Sequence, residues 1–540
     1  MKKSFFSSNI SEIELFLEKQ KFIKYKNFSI FYKSKFKNLR KDLLGQFSNA
    51  LNTYNDKVYK ASEWKVVIGP WLDKAIGIYL YYTYFFKNKN YDNFLTEKIV
   101  KEHCFIPKDY NQFLSLVNDK FFYVYFISLL KKNNIYYKSI KKISLHKVFS
   151  LKSIYVYLIK KFIRKKKIYL SNSRLGNLNL LNLFLSSWFK IVPLPKLSDL
   201  IYFKTNSNSF QNRSFFINLF NKEDKNLKII KLLVSIMPSS YLEYFKTLDS
   251  FGKNILDRPS KIYSDSSYID DEVFKIQVAK WKNQGFKNLI IGQHGGNYNL
   301  YQIDFLGKHE TEISDFFLKW GNEKKLKINN PPSIRLSMFL KKNKKKISKK
   351  KFHFCYVLRP LRETNFQSVF TENLIYTQNI NNLKNFFKDI KINFIIKYYP
   401  EINRYKDQIS KNKITKILNI KNHQITSNNS SIFESKILVF DYFSTMLFEM
   451  LNLNIPFILI IDKKSHTLSK YGINFLKHLN SMNLLFDNHE SASNFLENLN
   501  KEPIEWWMEK NRQILLKKLK FKYTNTSYNL LYEWKMFLKN

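Results

Sequence analysis

A chain of 540 residues is longer than one hydrophobic core organises, and its 44% hydrophobic and 17% aromatic content excludes a disordered protein. Only two cysteines occur, Cys104 and Cys355, without His or Cys companions at ligand spacing, which excludes a disulfide framework and a zinc site. A net charge of +48 asks for a negative neighbour (nucleic acid, anionic lipid or a phosphorylated substrate), unless A/T-rich codons alone explain the abundant Lys, Asn, Ile, Phe and Tyr.

The opening segment, "MKKSFFSSNISEIELFLEKQ", has no long apolar core and no small-residue cleavage site, so no secretory signal is expected. No apolar run reaches the length of about 18–20 residues that crosses a bilayer; the longest, "LGNLNLLNLFLSSWF" (175–189), carries three asparagines. These features predict a cytoplasmic protein whose charge draws it to the inner face of the membrane, where acidic lipids provide an anionic surface. Residues 63–86 read as a short apolar run, a Gly-Pro break and an aromatic-rich helix. Strands are expected at 166–172, 231–237 and 260–265. A helix follows with Phe274, Val278 and Trp281 on one face, acids at its start and Gly285 at its end, and "KNLIIGQHGG" is the next strand. Strand, helix and strand in that succession make a βαβ unit of a parallel sheet.

Past Trp320 the composition shifts to a double proline and a lysine-dense run, which reads as a basic linker over 326–351. Four continuous apolar runs follow, at 352–358, 392–400, 435–441 and 455–461, as suits strands buried on both faces. The segment 503–540 reads as helices. The expected organisation is therefore an α/β domain with helical insertions over 1–325, the linker, a second α/β domain over 352–502, and a helical tail.

Ligands of parallel sheets bind beyond the carboxyl ends of the strands. Two loops there carry chemistry. In "LIIGQHGGNYN" (289–299) His294 ends a strand, and Gly295 and Gly296 allow a sharp turn and close approach to a ligand. An imidazole there can take a proton from a hydroxyl, with Gln293 and Asn297 as local partners or substrate contacts. In "LVFDYFSTMLFEML" (438–451) Asp441 ends a strand, and Ser444 and Thr445 open a helix whose N-terminus favours phosphate. Glu449 shares a helical face with Thr445, one turn on, within reach of a sugar hydroxyl. Lys397 and Arg359 follow strands of the second domain and are candidate clamps for an anionic donor. His309 and Glu310 in "GKHETEISDFFLKWGN" (307–322) are candidate acceptor contacts, against the commoner reading of a charged helix face. Gly-x-Gly-x-x-Gly, Walker, Gly-x-Ser-x-Gly and His-Glu-x-x-His motifs are absent, so dehydrogenase, ATPase, serine-hydrolase and zinc-protease readings lose their support.

The segments "WKVVIGPWL" (64–72), "YLSNSRLG" (169–176), "MPSSYLE" (237–243), "IYSDSSYIDDEVFK" (262–275), "GQHGGNYN" (292–299), "HETEISDFFLKWG" (309–321) and "DYFSTMLFEMLNLNIPFI" (441–458) resemble, in this order, a transferase family encoded with surface-polysaccharide and O-antigen biosynthesis proteins. The resemblance implies a GT-B-like glycosyltransferase, with two Rossmann-like domains facing a cleft, nucleotide donor in the second and acceptor entering by the first. The His-Gly pair is also similar to that of polyol-phosphate transferases of wall teichoic acid synthesis, which assigns His294 as base. Tyr399-Pro400 stands where those enzymes hold donor phosphate with His-Pro, a departure from that pattern.

The expectation is a metal-independent transferase without a cofactor, moving sugar from a nucleotide sugar to a lipid-linked saccharide acceptor in surface polysaccharide biosynthesis. His294 is the base, and Gln293, Gly295, Gly296, Asn297, His309 and Glu310 lie on the acceptor side. Ser444, Thr445, Glu449, Asp441, Lys397 and Arg359 lie on the donor side. Transfer of a polyol phosphate from a CDP-linked donor is the same-class alternative. A nucleic-acid-binding protein or a non-catalytic scaffold is the alternative of another class, and no nucleic-acid module is recognisable.

Overall fold

The computed structural model describes residues 23–86, 106–117, 126, 140–148, 150–162, 167–211, 213–321, 330–344, 349–361, 376–399, 409–462, 466–499 and 502–539. The expectations for the opening segment, Cys104, Asn322, Lys345, Lys346 and Pro400 lie outside these residues. The chain forms two compact units. One comprises 1–292 with 308–317, the other 293–307 with 318–540.

The first unit begins with two long helices, α1 (Ile23–Asn55) and α2 (Ala61–Phe86). The Gly-Pro pair does not break α2; Pro70 sits inside one continuous helix. Proline lacks an N–H and costs a helical bond, yet the tryptophans on either side of it, Trp64 and Trp71, are wholly buried and hold the helix through that point. Strand β1 (Ile140–Lys147), helix α3 (Leu151–Phe162), strand β2 (Ile168–Ser171), helix α4 (Asn177–Ser186) and strand β3 (Ile191–Leu194) follow, then β4 (Ile201–Gln211), which pairs antiparallel with β1. The run at 231–237, expected as a strand, lies instead largely in helix α5 (Leu227–Ser235). A short apolar run does not distinguish the two, and Ile230, Leu233 and Val234 are buried at helical spacing. Strand β5 (Lys261–Ser264), helix α6 (Glu272–Asn283), strand β6 (Leu289–Gly292), helix α7 (Phe305–Ile313) and strand β7 (Phe316–Leu318) complete the unit. Its sheet has the order β3-β2-β5-β6-β7.

Helix α6 follows the expected pattern, with Phe274, Val278 and Trp281 buried. Its N-cap Asp271 accepts from the N–H of Phe274 and also from Leu197 and the Ser198 hydroxyl. Burial raises this carboxyl to about 6. The acids of "YIDDEVFK" thus tie a helix end to a neighbouring turn.

In the second unit, helix α8 (Ile334–Asn343) occupies the centre of the stretch expected as a linker. Ser333 caps it through the Leu336 N–H, and Ile334 and Leu336 are buried. Strands β8 (Phe352–Val357), β9 (Phe394–Lys397), β10 (Ile425–Thr426) and β11 (Ser435–Phe440), helix α9 (Thr445–Leu453), strand β12 (Phe457–Ile460), helix α10 (Lys470–Asn480) and strand β13 (Leu485–Phe486) follow. The parallel sheet is ordered β10-β9-β8-β11-β12-β13. Val439 and Phe440 pair with Tyr356 and Val357 on one side and with Ile458 and Leu459 on the other, so the continuous apolar runs are central strands. The expected tail helices form as Pro503–Trp507, α11 (Lys510–Tyr523) and α12 (Leu530–Lys539). They belong to this unit's core: Trp507 donates to the Asn454 carbonyl, and Trp534 donates to the Pro332 carbonyl. Two parallel-sheet α/β domains with added helices are what a GT-B-like chain requires, and both are present.

Candidate functional site

Strand β6 carries the chain to Gln293, and from there to Gly307 the backbone is part of the second unit. The physical cause is a series of hydrogen bonds. The Gln302 N–H donates to the Thr467 carbonyl, Ser469 N–H to the Leu300 carbonyl, and the Ser469 hydroxyl to the Asn299 carbonyl. Tyr301 bridges Leu468 and stacks on the His466 ring at 6.2 Å. Gly472 lies so close to the Leu300 carbonyl that a Cβ would fall 2.1 Å from its oxygen.

Within this segment Gln293 is a structural tie. Its side-chain amide donates to the Gly295 carbonyl at 2.8 Å, its side-chain oxygen accepts from Trp320 N–H at 3.1 Å, and its own carbonyl accepts from the Trp320 indole at 2.6 Å. His294 is half-buried. Its Nδ1 lies 2.6 Å from the Tyr298 hydroxyl, with the two rings edge to face. Asn297 is exposed.

Gly296 explains the glycine pair. Its N–H donates to the Thr445 hydroxyl at 3.2 Å, and a Cβ would lie 2.5 Å from the Ser444 carbonyl oxygen and 2.7 Å from the Phe448 ring. The loop bearing His294 is thereby pinned to the N-terminus of α9. Ser444 caps that helix by accepting from the Leu447 N–H at 3.1 Å. Both hydroxyls expected to hold phosphate already have protein partners. Both bonds use the hydroxyl oxygen as acceptor and leave its O–H, so an anion would meet those hydroxyls together with the dipole and the first N–H groups of the helix.

The other donor-side candidates also gather at the carboxyl edge of this sheet, but as internal pairs. Arg359 Nε sits 3.2 Å from Asp441 Oδ2, and the same guanidinium donates to the Asp441 backbone carbonyl. Lys397 donates to the Ser427 and Tyr398 carbonyls at 2.7 and 3.2 Å, and burial lowers its pKa. Glu449 accepts from Arg335 at 3.1 Å. Beneath them Tyr356 is buried, 3.2 Å from Nε2 of His489, whose pKa burial pushes down to about 4.

His309 and Glu310 lie in α7, in the first unit, and both are 0% exposed, so neither is open to substrate. Neither ring nitrogen of His309 has a hydrogen-bond partner among the described residues. A Cβ on Gly69 of α2 would fall 2.5 Å from its Cε1. Burial, with Arg40 and Lys65 nearby, drives its pKa well below the ordinary value. The neighbouring Glu312 takes the Arg40 and Lys65 charges at 2.7 and 2.6 Å, and Arg40 also pairs with Asp73. The "WKVVIGPWL" and "HETEIS" segments therefore lock three helices together.

Two partners were not legible as such in the sequence. Tyr298 stands four residues after His294, inside the resemblance segment, but nothing in its spacing reports a hydrogen bond in a loop. Arg335 lies in the stretch read as linker. Among the described residues no group of three His, Cys, Asp or Glu is arranged to hold a metal ion, and no helix is long and apolar enough to cross a membrane.

A half-buried imidazole on a glycine loop tied to a helix N-terminus sets a group able to take a proton beside an end that favours an anion. Residues 25–538 match the LIC12162 family transferase, and the chain belongs to that family. No curated protein sequence matches it. Among solved structures it is similar to MurG of Acinetobacter baumannii, with 9% identity and TM-score 0.34 over 69% of this chain and 99% of that one. It is also similar to a glycosyltransferase from Rickettsia africae ESF-5, with 14% identity and TM-score 0.30 over 72% and 94%. Likenesses this remote do not extend to activity.

Proposed function

We propose that the protein is a GT-B-like glycosyltransferase that moves a sugar from a nucleotide-activated donor to a saccharide acceptor, lipid-linked and presented at the cytoplasmic membrane face, in surface polysaccharide biosynthesis. The observation that carries this reading is the bond from Gly296 to Thr445, which joins the candidate base to the helix end that favours phosphate. His294 takes the proton of an acceptor hydroxyl on Nε2 while its Nδ1–H donates to the Tyr298 oxygen. The imidazolium so formed is held in place by that bond. The first N–H groups of α9 receive the donor diphosphate and stabilise charge on the leaving nucleotide. Glu449, buried and bonded to Arg335, is the candidate partner of a donor hydroxyl once the donor is in place. The Arg359–Asp441 pair shapes the edge on which the nucleotide lies. The reading needs no metal and no cofactor.

The test is incubation with a panel of nucleotide sugars and CDP-polyols, with and without saccharide acceptors, reading released nucleotide. Release from a nucleotide sugar that depends on acceptor and on His294 supports the proposal. Release from a CDP-polyol alone replaces it with polyol-phosphate transfer, and no release from any donor, with retention of oligonucleotide instead, returns the chain to a binding role.

A further inference from the structure

Two helices of the first unit turn apolar side chains to solvent. On α3, Leu151 (85% exposed), Ile154, Tyr157 (63%) and Leu158 form one exposed stripe at helical spacing. On α4, Leu178 (83%), Leu181 (52%) and Leu185 (53%) form a second, continued by Trp188 at 83%. Both helices border the edge strand β3: the Tyr155 hydroxyl of α3 donates to the Pro193 carbonyl at 3.0 Å, and α4 packs against β3. Trp188 and Phe189 both take left-handed backbone, at φ 54 and 61, rare for bulky residues. Phe189 recovers a contact with Phe184, their centroids 4.8 Å apart, but Trp188 is held out into water. A soluble domain does not ordinarily expose apolar surface gathered in this way.

The charge of this part of the sequence points to the occupant. Between Asp119 and Asp199 the sequence has no aspartate or glutamate, while residues 120–198 carry 17 lysines and arginines. Lys161 and Lys190 are exposed beside the two stripes, as is Lys152, which pairs with Asp199 at 3.0 Å. Genome composition raises lysine everywhere and does not empty one stretch of acids. A second copy of this chain, meeting the same face, would bring cation against cation. An anionic surface with an apolar interior answers both features, with tryptophan at the level of the headgroups.

We propose that the α3/α4 face is a docking surface for an anionic phospholipid bilayer. This deepens the lipid-linked acceptor reading by naming the surface that meets the membrane, and it is measured without any transfer reaction. The full chain is sedimented with vesicles of phosphatidylcholine and with vesicles of phosphatidylcholine and phosphatidylglycerol in equal parts. Wild type sediments with the mixed vesicles and stays in solution with the neutral ones. The variant Leu181→Glu with Trp188→Glu binds the mixed vesicles at least about tenfold more weakly, with circular dichroism and melting temperature unchanged because both side chains are exposed. The control Phe521→Ser with Tyr532→Ser, which removes exposed rings from the C-terminal helices, binds as wild type. Trp188→Phe keeps binding but loses quenching of fluorescence by brominated lipid. The proposal is overturned if wild type ignores the mixed vesicles, if the glutamate pair binds them as wild type does, or if the pair instead changes oligomeric state by light scattering. Absence of nucleotide release from every donor would sink the transferase reading and leave these results as they are.

Discussion

His294 and His309 stand in one short stretch of sequence, and both read there as site residues, the first as base and the second as an acceptor contact. The structure sends them to different units and opposite fates. His294 sits on a loop, half-buried, its ring met by a hydroxyl at 2.6 Å. His309 sits on α7, 0% exposed, with both nitrogens unpartnered among the described residues. Each depends on a glycine, one in its own loop and one on another helix: Gly296 lets the His294 loop reach the end of α9, and Gly69 makes room for the His309 ring. One glycine serves presentation, the other packing. A histidine's chemistry is thus decided by the surface it is given, which its neighbours in sequence do not report.

The largest effect that separates the two is on turnover. His294→Ala should lower transfer by about 10²–10⁴-fold, the usual contribution of a general base, with an unchanged melting temperature. His309→Ala should leave transfer per folded molecule as it is while costing about 2–4 kcal/mol of stability, since a buried ring leaves a cavity. Denaturant unfolding and released nucleotide, measured on both variants, check the pair of outcomes. An active His294→Ala protein would end its role as base.

Next come the glycines. Gly296→Ala places a methyl 2.5 Å from a backbone carbonyl that cannot rotate aside. The expected cost is about 1–3 kcal/mol, with transfer lost because the loop must leave α9. Gly69→Ala meets the His309 ring at a similar distance, and that ring is wholly enclosed. The cost should be similar, about 1–3 kcal/mol, but transfer at a temperature where the variant is folded should persist. The double variant Gly69→Ala with His309→Ala should recover stability relative to Gly69→Ala alone, because the clash and the cavity cancel.

Tyr298→Phe is smaller again. It removes the hydroxyl partner of Nδ1 and leaves the ring in place. Transfer should fall about tenfold and the acid limb of its pH profile should move, because the bond that stabilises the imidazolium is gone. Nitrogen NMR of the His294 ring reports the tautomer directly, and a ring with the same tautomer and the same titration in both proteins would remove Tyr298 from any positioning role.

Much of the fold could be read beforehand because the patterns are local. The continuous runs at 435–441 and 455–461 are β11 and β12, buried on both faces, and the Phe274, Val278, Trp281 spacing is α6. Local pattern failed where long-range packing overrode it. Pro70 stays within α2 because Trp64 and Trp71 are locked in the core, and 231–237 is helical because its neighbours bury a helical face. For the site, the sequence placed His294 on a loop after a strand and Ser444 at a helix start, and both stand there. It did not reveal that Asp441, Lys397 and Glu449 have protein partners, because those partners, Arg359, the Ser427 carbonyl and Arg335, lie far away along the chain. Nor does spacing distinguish a presented histidine from an enclosed one.

The smallest predicted effect tests that last distinction by proton linkage. The His309 pKa is depressed in the folded state, chiefly by burial and then by Arg40 and Lys65, with Lys275 acting the same way and Glu312 opposing. The unfolded chain takes up a proton near the ordinary value of about 6.5, while the folded chain does so only at lower pH. The unfolded state therefore binds more protons in this window, and stability falls as pH falls below about 6.5. Asp73 and Asp271, each raised to about 6 by burial, act with the opposite sign between their ordinary range and that value, so the total curve does not isolate the imidazole. The difference between wild type and His309→Leu does. Leucine removes two buried nitrogens that lack partners and keeps most of the volume, so stability at pH 8 should change by less than about 1 kcal/mol. As pH is lowered from about 6.5 to 5 the variant should gain on wild type steadily, read as a widening gap in urea midpoint. Parallel curves for the two proteins would mean that the ring reaches water or an acid in solution, and His309 would then rejoin His294 among the groups open to a ligand.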